Sequence, residues 1–159
     1  MHKILFVCYG NICRSPMALM IFQNILQKNH KESFFFCDSC ATSYEEIGND
    51  IYPPIKKKLQ EKGIPYSKHQ AKVFQKEFYH MFDYIIVMEE SNKYELLRLV
   101  EDKEDKIHLL LEYTKEVRDI DDPWYTRDFE KVYQDISSGC LGLYQYLIGK
   151  ENGKMANTK

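Results

Sequence analysis

The segment made of residues 8–15 contains residue types that bind an oxyanion and attack it. It reads C-Y-G-N-I-C-R-S and lies between the apolar run 4–7 and Pro16. A strand, a tight loop and a helix N-terminus, in that order, direct backbone N–H groups at a bound anion. Gly10 and Asn11 are residue types that readily adopt the left-handed backbone angles of such a loop. The segment therefore predicts a phosphate-binding loop.

Three side chains of this loop suggest covalent chemistry at phosphorus. Arg14 can direct its planar guanidinium at two phosphate oxygens, a geometry that lysine does not offer. In such an electropositive loop we expect Cys8 to be a thiolate nucleophile, and Ser15 can stabilise that thiolate as a leaving group. The alternative is a buried core cysteine beside a solvated arginine. The preceding strand, the Gly-Asn pair and the Ser-Pro helix start favour catalysis. The remaining loop residues are Tyr9, Ile12 and Cys13.

A second segment, D-I-D-D-P-W at 119–124, offers acid–base groups. A neutral carboxyl group can protonate a departing phenolate and then deprotonate the attacking water. We expect the clustering of Asp119, Asp121 and Asp122 to raise the pKa of one of the three. The proline restricts the residue before it, which helps to hold that carboxyl group in place. By itself, such a segment is also typical of a surface turn.

Aromatic residues follow this segment. Trp124 and Tyr125 can form a wall against which a phenyl ring stacks, and this favours phosphotyrosine as the substrate. Tyr44, in the polar segment 38–50, is a candidate for the opposite wall, although a packing role explains it equally well.

The hydrophobic pattern predicts the elements that position these residues. Apolar runs predict four strands, and amphipathic segments between and after them predict helices. The predicted strands are residues 4–7, 34–36, 84–88 and 107–111, and the predicted helices are residues 15–28, 51–62, 91–100 and 129–147. We expect Ser15 and Ser91 to cap the first and third helices. This alternation predicts an α/β fold, a four-stranded parallel twisted sheet with helices on both faces.

Composition limits the class of protein. The chain has 159 residues, predicting a single domain over 1–150 and, because 151–159 is polar and aperiodic, a flexible tail. The formal net charge of -2 gives no reason to expect nucleic acid or a membrane as a partner. Five cysteines, an odd number, suggest reduced thiols rather than a disulfide framework. We therefore expect a cytoplasmic, monomeric protein.

The motif C-Y-G-N-I-C-R-S-P resembles the signature of the low-molecular-weight protein tyrosine phosphatases. Other segments resemble that family in the same order over residues 3–148. They are D-S with A-T-S at 38–43, G-I-P at 63–65, F-D-Y-I at 82–85, Met88 with Ser91-Asn92, and D-P-W at 122–124. The resemblance implies hydrolysis of phosphotyrosine proteins and small aryl phosphates, without a metal or a cofactor. Phosphate and other oxyanions would bind as product or inhibitors.

The resemblance also implies roles for individual residues. Asp122 would be the general acid and base, and Asn11 and Ser39 would brace the loop by hydrogen bonds. Cys13 would capture an oxidised Cys8 as a reversible disulfide, with simple packing under the loop as the alternative. His69 either supports the loop or is a surface histidine. Leu19 departs from the family, which often has glutamate there.

Three other functions deserve comparison. Arsenate reductases with a similar loop need resolving cysteines downstream, and the sequence has none between Cys40 and Cys140. The pair Cys37 and Cys40 resembles half of a metal motif, but no second pair is present for zinc. Protein arginine phosphatases have threonine where Ile12 stands. A non-catalytic phosphotyrosine-binding module would lack the nucleophile or the acid, and both are present.

Overall fold

The sheet is centred on strand β1 (His2–Cys8), which lies between two parallel neighbours. The computed structural model describes the backbone of residues 1–157 and the side chains of residues 1–153. The other strands are β2 (Phe35–Ala41), β3 (Tyr84–Val87) and β4 (Ile107–Leu109), and the sheet order is β2-β1-β3-β4. All three pairings are parallel. The predicted four-stranded parallel sheet is therefore confirmed.

Helices cover both faces of the sheet. They are α1 (Arg14–Lys28), α2 (Pro53–Glu61), α3 (Phe78–Met81), α4 (Glu90–Leu97), α5 (Pro123–Thr126) and α6 (Phe129–Asn157), with short 3₁₀ turns at Glu32–Phe34 and Leu110–Tyr113. Side chains of β1 alternate between two separate apolar clusters, as the period of a strand requires. Ile4 and Phe6 pack with α1, α2 and α6, whereas Leu5 and Val7 pack with α3 and α4. Of the described helices, none combines the length and the apolar character needed to cross a membrane.

Helix α6 approaches the turn after β4 closely, and two glycines make this possible. A Cβ atom at Gly139 would lie 2.5 Å from Leu110 Cγ, and one at Gly142 would lie 2.1 Å from the backbone oxygen of Tyr113. Both distances are far shorter than van der Waals contact. The glycines therefore set how closely α6 packs against the end of the sheet.

The structure corrects the predicted bounds of two strands. β2 continues to Ala41, although a strand was predicted only at 34–36 and a loop from residue 38. Its polar residues are accommodated because Ser39 accepts a buried hydrogen bond and Asp38 pairs with Lys72 at the sheet edge. β4 ends at Leu109, earlier than the predicted residue 111, because the chain turns into a 3₁₀ helix.

Two predictions about helix caps were wrong. Glu89, not Ser91, caps α4, and it forms a reciprocal capping box with Asn92. Ser15 lies inside α1, where its hydroxyl group faces Cys8 instead of capping the helix. Helix α6 continues through Asn157, and Glu151 pairs with His2 at 2.6 Å, while the flexible tail expected over 151–159 stays a prediction. The last two positions of that predicted tail lie outside the described residues. The four-residue helices α3 and α5 were not predicted.

Replacing Gly142 by alanine should destabilise the fold. The new methyl group would meet a backbone carbonyl group that cannot rotate away, and we expect the free energy of unfolding to fall by about 2 kcal/mol. Chemical denaturation monitored by circular dichroism measures this loss.

Gly149→Ala provides the matched control in the same helix. Nothing lies within 4 Å of a Cβ atom at this position. Since alanine favours helix more than glycine does, this variant should be more stable by about 0.5–1 kcal/mol. Equal effects of the two substitutions would contradict the close approach of α6.

Candidate active site

The Cys8 sulfur lies where β1 ends and α1 begins. Cys8 is the last residue of β1 and is only 2% exposed. The backbone N–H groups of Asn11 and Ser15 donate to Sγ at 3.3 and 3.4 Å, and the Ser15 hydroxyl lies 3.0 Å from it. Because α1 begins at Arg14, its positive end also faces this region. The residues predicted to form a phosphate-binding loop therefore surround the sulfur with hydrogen-bond donors.

Asn11 holds the loop in shape from behind. Its backbone has a φ of 61°, in the left-handed region, and the residue is fully buried. Its amide nitrogen donates to the hydroxyl groups of Ser15 and Ser39 at 2.8 and 3.0 Å, and its amide oxygen accepts from the Lys72 N–H at 3.2 Å. The His69 ring donates from Nε2 to the Asn11 carbonyl at 2.6 Å. Ser39 and His69 therefore both contact the loop at Asn11.

The Arg14 guanidinium is buried among three partners. It is 1% exposed, and Nη1 donates to the Ile120 carbonyl at 2.8 Å. Nη2 lies 3.0 Å from Glu89 Oε1 and 3.3 Å from Asp122 Oδ2. Burial works to lower the pKa of Arg14, but the negative charges of Cys8, Glu89 and Asp122 raise it overall. The side chain therefore remains a cation beside the sulfur.

Sulfur and guanidinium share one cavity of about 110 Å³. Trp124 and Tyr125 line it on the side of Asp122, and the Trp124 ring packs on Tyr52 with ring centroids 4.9 Å apart. The complete lining consists of Cys8, Tyr9, Gly10, Ile12, Cys13, Arg14, Glu45, Glu46, Asp122, Trp124 and Tyr125. An aromatic wall beside the anion-binding loop suits a phenyl phosphate.

The three aspartates line one neighbouring cavity, but each carboxylate has a different partner. Asp119 accepts the N–H of Glu90, and Asp121 pairs with Lys131 at 2.7 Å. The hydrogen bond from Lys131 lowers the pKa of Asp121, the opposite of the expected effect of clustering. Only Asp122 also lines the cavity that contains the sulfur, because it caps α5 by accepting the Trp124 N–H at 3.0 Å.

The cavity wall opposite Trp124 does not include Tyr44, the residue suggested for it as an alternative to a packing role. Tyr44 is 73% exposed and is not among the cavity-lining residues. The N–H of Ser43 donates to the Tyr9 carbonyl at 3.0 Å, and the turn that follows directs the next side chain to solvent. Glu45, Glu46 and Tyr9 form this side of the cavity instead.

Four groups at the site were missed in the sequence. They are Glu89, the Ile120 carbonyl, Glu45 and Glu46. Glu89 comes two residues after β3 ends, and the carboxyl ends of neighbouring parallel strands meet at one edge of a sheet. That position was a usable signal for Glu89. The other three depend on loop conformation, which the hydrophobic pattern does not predict.

The remaining cysteines occupy different environments. Cys13 lines the cavity that contains the Cys8 sulfur and the Arg14 guanidinium, which we call the catalytic cavity. Burial raises the pKa of Cys13. Cys37 and Cys40 belong to opposite faces of β2, packing with different apolar clusters, so they do not form a dithiol pair. Leu19 is buried in α1. Among the side chains of residues 1–153, no group of three or more His, Cys, Asp or Glu is placed to hold a metal ion.

The N–H donors around the sulfur also attract an electrophile that brings negative charge with it, and the buried guanidinium beside them favours a phosphoryl group. The fold and the site thus define a cysteine-dependent phosphatase. Within that class, the chain belongs to the low molecular weight phosphotyrosine protein phosphatase family, whose sequence model matches residues 3–153. Enzymes of this family are metal-independent hydrolases.

Known proteins resemble the chain along most of its length. The human low molecular weight phosphotyrosine protein phosphatase is 40% identical over 144 residues, covering 87% of this chain and 90% of the human protein. The low molecular weight protein-tyrosine-phosphatase YfkJ of Bacillus subtilis is 36% identical over 143 residues, covering 88% and 92%. The crystal structure of YfkJ matches with a TM-score of 0.91 and 34% identity over 94% of this chain and 96% of that one. The Drosophila arginine phosphatase DARP matches with a TM-score of 0.82 and 28% identity over 91% and 97%.

Asn11→Ala should weaken anion binding and catalysis together. Alanine would lose the buried amide hydrogen bonds and would be strained at a φ of 61°, so the N–H groups around the sulfur would shift. We expect kcat/KM on p-nitrophenyl phosphate to fall by about tenfold to a hundredfold, and the inhibition constant of phosphate to rise.

Asp105→Ala is the control for backbone strain alone. Asp105 has a similar φ of 52°, in the turn before β4 and outside the catalytic cavity. This variant should lose stability but keep its kcat/KM. Normal phosphate inhibition in Asn11→Ala would show that the loop does not depend on the buried amide.

Proposed function

We propose that the protein hydrolyses phosphotyrosine in proteins through a phosphocysteine on Cys8, with Asp122 as general acid and base. The observation that carries this proposal is the convergence of the Cys8 sulfur, the Arg14 guanidinium and the Asp122 carboxyl group on one cavity. Each of these groups has a separate task in the transfer of a phosphoryl group to and from sulfur.

Substrate binding uses the loop and the guanidinium. The phosphate oxygens accept hydrogen bonds from the loop N–H groups, and Arg14 neutralises part of their charge. Arg14 is already held in place by the Ile120 carbonyl and Glu89, so little conformational entropy is lost when the anion binds. The phenyl ring then lies along Trp124 and the side chain of Ile12.

In the first chemical step the Cys8 thiolate attacks phosphorus. A sulfur–phosphorus bond forms as the bond from phosphorus to the tyrosine oxygen breaks. Protonated Asp122 gives its proton to that oxygen, so tyrosine leaves as a neutral phenol. Asp122 is suited to this task because one of its carboxyl oxygens, Oδ1, accepts the Trp124 N–H. This hydrogen bond holds the carboxyl group in place.

In the second step water releases phosphate. The Asp122 carboxylate, now without its proton, takes one from a water molecule whose oxygen attacks phosphorus. The sulfur–phosphorus bond breaks, and sulfur leaves as a thiolate. The Ser15 hydroxyl and the N–H groups of Asn11 and Ser15 stabilise that leaving group, since they already surround Sγ.

Phosphoarginine is the second candidate substrate, because DARP is similar in structure. Apolar Ile12 and the Trp124 wall favour a phenyl ring over a guanidinium. Arsenate reduction is disfavoured, since Cys40 and Cys140 are buried, Cys37 is partly buried, and none of the three lines the cavity to offer a resolving thiol. Comparing phosphotyrosine with phosphoarginine, and assaying arsenate-dependent thiol oxidation, tests both alternatives.

We further propose that the enzyme acts as a cytoplasmic monomer and that Cys13 protects the nucleophile. Every residue lining the cavity belongs to one chain, and a thiolate nucleophile requires a reducing compartment. After oxidation of Cys8 to a sulfenic acid, the Cys13 thiol would displace water to form a disulfide that thiols can reduce. Gel filtration tests the monomer, and recovery of activity after peroxide and dithiothreitol tests the disulfide.

Cys8→Ser should abolish turnover while phosphate still binds. A serine hydroxyl is a far poorer nucleophile than a thiolate, so kcat should fall by roughly 10⁴-fold or more. Hydrolysis of p-nitrophenyl phosphate measures turnover, and isothermal titration calorimetry measures phosphate binding. Cys37→Ser, a cysteine outside the cavity, is the control that keeps activity. Full turnover in Cys8→Ser would disprove the phosphocysteine mechanism.

Asp122→Asn should slow the reaction in proportion to how poor the leaving group is. Without a proton donor, kcat on phosphotyrosine should fall by about 10²-fold, with a smaller loss on aryl phosphates that have acidic phenols. Single-turnover release of each phenol measures the difference. Asp105→Asn removes a carboxylate outside the cavity and serves as control. Equal losses on all substrates would assign Asp122 a structural role only.

A further inference from the structure

One side of the catalytic cavity is formed by a carboxylate. Glu45 lines the cavity, and its Oε1 accepts a hydrogen bond from the Tyr9 hydroxyl at 2.7 Å. Tyr9 directly follows the nucleophile, and its own carbonyl accepts the Ser43 N–H at 3.0 Å. The hydrogen bond to Glu45 is also the largest contribution that raises the pKa of Tyr9. Glu45 is therefore held at the mouth of the cavity, although its side chain is exposed to solvent.

No cation neutralises this carboxylate within the part of the chain whose side chains are described. Glu45 takes part in no ion pair there, and neither does the adjacent Glu46, whose carboxylate accepts from the Asn49 amide at 2.7 Å. A Cβ atom at Gly10 would lie 3.4 Å from Glu46 Cγ, so Glu46 also packs on the phosphate-binding loop. Two negative charges thus lie beside the path along which a substrate enters.

The opposite side of the mouth is acidic too. A neighbouring cavity shares Tyr9, Asp122 and Tyr125 with the catalytic cavity, and Glu89, Asp119 and Asp121 also line it. The charge of Glu89 is neutralised by Arg14, and that of Asp121 by Lys131. These two carboxylates therefore attract a cation less than Glu45 does. A peptide that leaves the cavity in either direction therefore meets negative charge, and among the described side chains no lysine or arginine except the buried Arg14 lines either cavity.

We propose that Glu45 is a specificity-determining residue that pairs with a lysine or arginine next to the phosphotyrosine of the substrate. This inference rests on the proposed function, since it assumes a phosphotyrosine in the catalytic cavity. With the ring along Trp124 and Ile12, the neighbouring residues of the peptide lie at the mouth of the cavity, where a long basic side chain can reach Glu45. The charge of Glu45 favours basic neighbours and disfavours acidic ones.

Three peptides test this preference. They are identical except for the residues immediately before and after phosphotyrosine, which are lysine, alanine or glutamate. We expect kcat/KM to be highest for the lysine peptide, about threefold to tenfold above the alanine peptide, and lowest for the glutamate peptide, as for ion pairs at a solvent-exposed rim. Added salt should reduce the preference because it screens exposed charges.

Two conservative variants isolate Glu45. Glu45→Gln keeps an acceptor for the Tyr9 hydroxyl but removes the charge, and it should lower the lysine-to-alanine ratio of kcat/KM by about threefold. Tyr9→Phe keeps the ring but removes the hydroxyl group that positions the carboxylate, and it should give a smaller decrease in the same ratio. Glu32→Gln, the same change before β2 at the opposite end of the sheet, should leave the ratio unaltered.

Several outcomes would overturn the proposal. They are equal kcat/KM of the wild type on the lysine and alanine peptides, a preference that salt does not alter, and an unchanged ratio in Glu45→Gln. Failure of the proposed function gives a different result, because the wild type would then hydrolyse neither the peptides nor p-nitrophenyl phosphate.

Discussion

The burial of one guanidinium group dictates how the catalytic end of the fold is assembled. Arg14 is 1% exposed, and a buried charge without partners would cost several kcal/mol. Its partners come from separate segments: Glu89 follows β3, and the Ile120 carbonyl and Asp122 precede α5. These loops must therefore close over the start of α1. The same closure brings the carboxyl group of Asp122 to the cavity that contains the Cys8 sulfur, although more than a hundred residues separate the two in sequence.

A second buried group imposes the shape of the loop itself. Asn11 combines a left-handed backbone with an amide side chain bonded to Ser15 and Ser39. Ser39 belongs to β2, whose register against β1 places Ala41 opposite Cys8. The loop is thus fixed by the sheet, and the N–H groups around sulfur are aimed before an anion arrives. Such prior orientation is what makes electrostatic stabilisation effective in catalysis.

The parts of the fold that follow from local pattern were predictable. The apolar run of β1 and the glycine and asparagine of the loop each have a local physical cause, and so each was found from the sequence. The predicted β2 was too short because polar residues such as Asp38 and Ser39 are typical of a loop. Only their tertiary partners, Lys72 and Asn11, explain why they lie in a strand. The cap of α4 was misplaced for a related reason, since a Glu–Asn capping box is a less common signal than serine.

At the site, the residues suited to the chemistry could be chosen from the sequence, but the directions of the loop side chains could not. Cys8 and Arg14 lie in one short loop, whereas the choice between Tyr44 and Glu45 depends on which way a turn directs adjacent side chains. That choice matters physically, because it places carboxylates rather than a further aromatic ring on one side of a site for a phosphate dianion. The two requirements are compatible, since phosphate is bound at short range by buried N–H groups and a buried cation, where screening is weak. The exposed carboxylates lie farther out, where water and salt reduce their repulsion of phosphate but still allow direct contact with a cation. The inner layer of the cavity can therefore bind phosphate while the outer layer discriminates among phosphorylated substrates.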